Sequence, residues 1–359
     1  MTFTENMKIR IVYFFLPLFL FGCSKQNQVA EQRPNVQPSS ALPFQITVVG
    51  SAESQDQDEI KQQAMSFLDA KNYGDLEKLI AQLRSSKESY PDGSWKLGYL
   101  YSGFESPGDD AEDAAWQYRQ KKIQDWINAK PESIAARITM ARFYRDYAWK
   151  ARGSGYANTV SDKQWQLFGE RLNQAGQILN DAKTLNEKCP VYWSTLMQVG
   201  LGLQISKEQY NNAFNQAVEA YPDYAYYYAN RATFLLPRWN GEEGEWEKDL
   251  TQSADKLGVE QGDILYAQVV WNVHLYGEHI DVFKENRISW DRVDRGFAGI
   301  RKKFPDSLAA KNERAHLAAL AGDKTKAREY FTQTEGKVDL DQWNDKGEFF
   351  DAAKWAFEP

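Results

Sequence analysis

Two segments of the 359-residue chain gather side chains that could do chemistry. The first is Arg152 to Trp165, "RGSGYANTVSDKQW", with glycines around a serine and then hydroxyl and amide groups. A phosphate-binding loop would need a preceding strand and a closing lysine, and a nucleophile elbow would need glycines two positions either side of its serine, again after a strand. Neither pattern is met. The second is "LLPRWNGEEGEWEKDL", Leu235 to Leu250, which sets Trp239 and Trp246 among Glu242, Glu243, Glu245, Glu247 and Asp249. Its carboxylates lack the alternating register of a calcium loop. Beside two indoles they suggest sugar stacking, and glycoside hydrolysis if two of them face each other about 5 to 10 Å apart across a cleft. Of the three histidines, His274 and His279 stand five apart near Glu278 and Asp281, and His316 is distant. The zinc-helix pattern His-Glu-x-x-His is absent. No catalytic residue, metal or cofactor is assigned.

Helices must position these segments. Trp165, Phe168, Leu172, Ala175, Leu179 and Ala182 recur at intervals of three and four, as do Trp290, Val293, Phe297, Ile300 and Phe304. Each set makes one apolar stripe that another helix has to cover. Ser161 with Gln164 has the capping-box form of a helix start, and Gly153 and Gly155 lie where a positive φ would end the preceding helix. The loop thus reads as a corner between helices. Prolines 91, 131, 190, 222 and 305 each separate two striped segments, where proline cannot continue the old helix but suits the start of the next. The run Ile264 to Tyr276 has no polar face, which places it and His274 inside the stack.

"KNERAHLAALAGDKTKAREYF" resembles a tetratricopeptide hairpin, with Ala315, Leu317, Leu320, Ala321, Gly322, Asp323, Ala327 and Phe331 at the small, turn and aromatic positions; Tyr210 to Leu235 is a looser match. Proline spacings of 40, 59 and 32 residues depart from a regular repeat. The expected fold is all-α: an irregular solenoid of antiparallel helical hairpins. "RGSGYANTVSDKQWQLF" and "LLPRWNGEEGEW" together resemble a signature pair of the bacterial family called domain of unknown function 4034. The resemblance implies a helical, repeat-like fold without assigned chemistry.

Tyr224, Tyr227, Tyr228 and Arg231 share one helical face. That face is either a packing layer or, if it lines a concave surface, a set of binding residues. With Arg152, Tyr156, Arg238, Trp239 and Trp246 these form the candidate binding surface.

The N-terminus reads as an export signal: Lys8 and Arg10, an apolar run from Ile11 to Phe21, then Gly22 and Cys23. The run is too short to span a bilayer. Leu20-Phe21-Gly22-Cys23 resembles the lipobox of bacterial lipoproteins, which implies acylation of Cys23; Ser24 in place of aspartate implies the outer membrane, with the body in the periplasm. Translation from Met7 would make the basic region more conventional. Residues 1–22 are then a signal peptide, 23–58 a flexible tether rich in Gln, Ser and Pro, 59–331 the helical-repeat domain and 332–359 a capping segment. Phe44 to Val49 within the tether reads as a short strand or as a segment packed on the first helix. Lipidation of Cys23 leaves Cys189 alone. Net charge is −7, and −8 once residues 1–22, with Lys8, Arg10 and Glu5, are removed. That acidity argues against nucleic acid as a partner. The expected function is a protein-interaction scaffold or assembly factor, anchored by acyl chains on Cys23 and bound to another envelope protein. The alternative is a peptidoglycan or glycan binder or hydrolase working at Trp239 and Trp246.

Overall fold

The helical periodicity becomes fifteen α-helices among the described residues. The computed structural model describes residues 42–108, 111–155, 157–185, 189–277, 280–284 and 287–358. The first helices are α1 (Ala52–Asp69), α2 (Tyr73–Ser86), α3 (Lys96–Glu105), α4 (Asp113–Ala129) and α5 (Ile134–Arg152). The middle of the stack holds α6 (Asp162–Ala182), α7 (Pro190–Gly202), α8 (Lys207–Ala220), α9 (Ala225–Phe234) and α10 (Glu245–Asp255). It continues with α11 (Val259–Tyr276), α12 (Trp290–Lys303), α13 (Leu308–Leu320), α14 (Lys324–Thr334) and α15 (Lys346–Phe357). Two two-residue strands, β1 (Thr47–Val48) and β2 (Lys337–Val338), pair in parallel.

Local sequence explains the boundaries. Ser51, Ser133, Ser161, Ser206, Ser289 and Ser307 each accept a backbone N–H in the first turn of the helix they precede. Pro190 opens α7 from its first position, and Pro91, Pro131, Pro222 and Pro305 lie in the turns before α3, α5, α9 and α13. The hairpin α13–α14 turns at Gly322, whose φ is +71°, and Asp323 caps the second helix. Ala315, Ala318, Ala327 and Phe331 form its buried seam. The small residues let the two helices approach closely.

Successive helices pack as antiparallel neighbours, α5 on α6, α11 on α12 and α13 on α14 most extensively. The arrangement is irregular: α1 packs more on α3 than on α2. Helix α11, buried over most of its surface, contacts α9, α10 and α12. One core runs from Ala64 to Leu317, and a second joins Ala315, Tyr330, Trp343, Phe349 and Ala356. His274 and His316 belong to this packing. His316 stacks on Trp343 at 4.1 Å and meets His274 edge-on at 4.7 Å. Each donates from Nδ1 to a backbone carbonyl, of Ile280 and Gln342 respectively.

The two ends of the stack are joined. The β1–β2 pairing aligns Thr47 with Lys337, and Phe44 and Ile46 pack into the C-terminal core, with Phe44 5.7 Å from Phe357. Ser54 donates to Asp341 at 2.5 Å. The stretch assigned to the tether therefore narrows: Ser51 caps α1 at Ala52, within the segment that composition marked as flexible. Polar composition misled here because α1 buries only Ala64 and Leu68 and is otherwise solvated. The signal segment, Cys23 and residues 23–41 lie outside the described residues. No described helix is long and apolar enough to cross a membrane.

Candidate functional site

The Arg152 to Trp165 loop is a helix corner. Gly153, with φ +73° and ψ −179°, takes the chain out of α5 through a conformation that glycine alone tolerates well. Ser161 and Gln164 form the reciprocal capping box, and the Gln164 side chain donates to the Arg152 carbonyl at 3.3 Å. Gly155 keeps an ordinary φ, contrary to expectation. Arg152 is 1% exposed and donates to the carbonyls of Gly153 and Gly155 at 2.9 Å. Its guanidinium lies 5.9 Å from the Trp149 ring and 5.7 Å from that of Trp165. Arg152 thus ties the corner together and is not a contact residue. Tyr156 lies outside the described residues.

The second segment is also committed internally. Trp246 is buried. Glu245 receives Lys207 and, at 3.0 Å, the backbone N–H of Glu242. Glu243 pairs with Arg287 at 2.6 Å, and Asp249 holds Arg231 by two hydrogen bonds of 2.7 and 2.8 Å. Arg231 also reaches Asn211 and lies 4.5 Å from the Phe214 ring. Glu245 and Asp249 are bound to cations, and Glu247, the residue after Trp246, is buried and lies 3.9 Å from Arg287, so these carboxylates face cations and not an open cleft. The tyrosine ridge is a packing layer too: Tyr224, Tyr227 and Tyr228 are all buried. Tyr224 meets Trp95 edge-on at 5.0 Å, while Tyr227 and Tyr228 donate to the carbonyls of Pro190 and Pro222. These residues line no open surface.

Arg238 and Trp239 are half-buried, and Trp239 walls a small, mostly apolar pocket with Arg145, Asp146, Trp149, Met197 and Leu201. Its volume of about 30 Å³ has room for one or two waters, far short of a sugar ring. Beneath it lies an ionic cluster that the sequence reading passed over. Glu105 receives Arg142 and, at 2.8 Å, Arg145; Arg145 also reaches Asp146 and Gln198. Burial, with Arg145 adding, pulls Arg142 down to about 10, and burial pushes the Asp146 carboxyl up against the pull of Arg145 and Arg142. Arg142 and Arg145 interrupt an otherwise apolar stripe on α5, which was the available signal.

A second polar wall forms where early helices face late ones. Asn272 and Gln268 of α11 donate to the carbonyls of Asp92 and Pro91, at 3.3 and 2.9 Å. They pin the loop before α3 against the middle of the stack. Tyr99, Tyr226, Tyr276 and Asp92 keep accessible surface there while surrounded by protein. Burial holds the Tyr99 and Tyr226 hydroxyls well above the ordinary tyrosine range, with Asp92 adding to both. Tyr226 stands off the Tyr224–Tyr227–Tyr228 face, which is why a stripe analysis missed it. Among the described residues no group of His, Cys, Asp and Glu has the arrangement of a metal site.

A family model described as a domain of unknown function (DUF4034) matches residues 60–188. The similarity runs from α1 to the turn before α7, so it takes in the Arg152 to Trp165 corner and leaves Leu235 to Trp246 outside. No curated protein and no solved structure matches the chain.

Proposed function

We propose that the chain is an interaction scaffold of the bacterial envelope: a helical-repeat body, lipid-anchored through Cys23 at the outer membrane and facing the periplasm, that binds another protein. One observation carries the reading. Tyr99, Tyr226 and Tyr276, on three different helices, lie in one electrostatic neighbourhood with Asp92 and keep some accessible surface. Large, rigid, amphipathic side chains in a partly enclosed setting are the type that dominates binding energy at protein interfaces. The glycan alternative is the less supported reading, since Trp246 is buried and Glu245, Glu247 and Asp249 face cations.

A photoreactive amino acid at position 226 tests the scaffold in living cells. Position 118 is the comparison, because Tyr118 is 59% exposed on the outside of α4. A discrete protein adduct at 226 and none at 118 is the expected result; adducts at both or at neither overturn the reading. Loss of labelled fatty acid in Cys23→Ser tests the anchor.

A further inference from the structure

A row of polar side chains crosses four helices and ends in two unmatched groups. Glu105 of α3 accepts from Arg145 of α5 at 2.8 Å, and Arg145 donates to its neighbour Asp146 at 2.8 Å and to the side-chain oxygen of Gln198 on α7. Gln198 passes the row on, its Nε2 lying 3.5 Å from Oδ1 of Asn230 on α9. Chemistry fixes the direction. A guanidinium can only donate, so Gln198 must offer its oxygen to Arg145 and its nitrogen onward, and Asn230 must then turn its own oxygen to Gln198. That leaves Nδ2 of Asn230 as an open donor at one end and Oδ2 of Asp146 as an open acceptor at the other. Both atoms are buried without a hydrogen-bond partner, and both side chains line the pocket walled by Trp149 and Trp239. Asn230 is only 5% exposed, so bulk water does not relieve it.

The ionic cluster behind this pocket is balanced: Glu105 and Asp146 offset Arg142 and Arg145. A charged group entering it would shed its hydration and find no counterion, which is costly. A neutral group that donates to Asp146 and accepts from Asn230 satisfies both ends of the row. A primary carboxamide does this with the nitrogen and oxygen of one planar head, whereas a hydroxyl brings a single atom to two ends carried by different helices. The pocket has room for one or two waters, and the two terminal atoms of a carboxamide take the places of two. Half-buried Trp149, Leu201 and Trp239 offer apolar wall to a short stem. We propose that this pocket, between α5, α7 and α9, receives the side chain of a glutamine on the scaffold's partner, held by Asp146 and Asn230. The inference rests on the scaffold reading and names a residue type that the partner presents.

The test uses the full chain in detergent micelles, labelled with fluorotryptophan and read by fluorine NMR, the Trp149 and Trp239 signals being assigned from Trp149→Phe and Trp239→Phe. The probes are the N-acetyl amides of glutamine, glutamate and methionine, which share a backbone and differ at the end of the side chain. Saturable shifts of both signals are expected with the glutamine probe, at a concentration about tenfold or more below that needed for the other two. Asp146→Asn turns the open acceptor into a donor and leaves the cluster one positive charge in excess, so the preference is expected to pass from glutamine to glutamate. A merely structural role would not reverse it. Asn230→Ser, expected to lose the glutamine response, serves if Asp146→Asn does not fold. Glu243→Gln, at an exposed pair, is expected to change nothing. No saturable response to any probe means that the pocket holds water only and overturns the inference, as does an equal response to all three or a glutamine preference that survives in Asp146→Asn. If the adduct at position 226 persists in that case, only this pocket was misassigned; if it too is absent, the scaffold reading falls.

Discussion

Glu105→Gln should cost far more than any surface charge in this protein. Glu105 ends α3 at 2% exposure and accepts from Arg142 and Arg145 of α5. In the variant Arg145 keeps Asp146 and Gln198, but Arg142 loses its one ion-pair partner, and its Nε already has no acceptor. Arg142 stays charged near neutrality because its pKa, pulled down by burial, is still about 10. Stranding a buried guanidinium in this way costs about 3 to 5 kcal/mol. Glu260→Gln, which breaks the exposed Lys302–Glu260 pair, should cost about 0 to 1 kcal/mol. Urea unfolding followed by far-ultraviolet circular dichroism measures both. Glu105→Gln with Arg142→Met should regain most of the loss, since no unpaired charge then remains. A loss below about 1 kcal/mol for Glu105→Gln, or a double variant no better than the single, would refute the argument.

Three further outcomes are expected. Gly153→Ala forces a side chain into a glycine-only conformation and should lower stability by roughly 1 to 3 kcal/mol, against about 1 for Ser161→Ala, which loses the cap; thermal unfolding compares the two. Glu313 and Asp92 are held protonated above their ordinary values, so the folded state binds the extra protons. Their contribution is therefore full at acid pH and is lost as pH rises above the unfolded values toward the folded ones. Unfolding at pH 5 and pH 8 should show Glu313→Gln gaining on the parent at the higher pH, and equal differences at both would contradict this. Gly336 has φ +73°, and a Cβ there would run into the Gln45 carbonyl. Gly336→Ala should release residues 42–50 to limited proteolysis while the central helices stay protected.

Helix identity was largely legible because it rests on local rules: stripes, serine caps and prolines act within a few residues, and the Ser161–Gln164 box and the Gly322 turn appear where they were read. What escaped was long-range. Whether Tyr224 or Tyr226 faces an open wall depends on which helix arrives from elsewhere, here α3 with Trp95 and Tyr99. Carboxylate runs near Trp246 looked like chemistry because their partners, Lys207, Arg231 and Arg287, are distant in sequence. The Glu105 cluster joins residues 40 positions apart. Periodicity carries no information about such meetings.

The strand pair that ties Thr47 to Lys337 also sets a schedule for the chain. A ribosome makes residue 47 long before residue 337, so the docking site of the first described segment does not exist until residues 337 and 338 have been made. Hairpins such as α5–α6 can form as they emerge, whereas this contact spans most of the length and carries the loop-closure entropy of the unfolded chain. Folding should then end with a latch. The latch also limits evolution: an added hairpin would displace one end from the other, so repeat number cannot drift as it does in an open array.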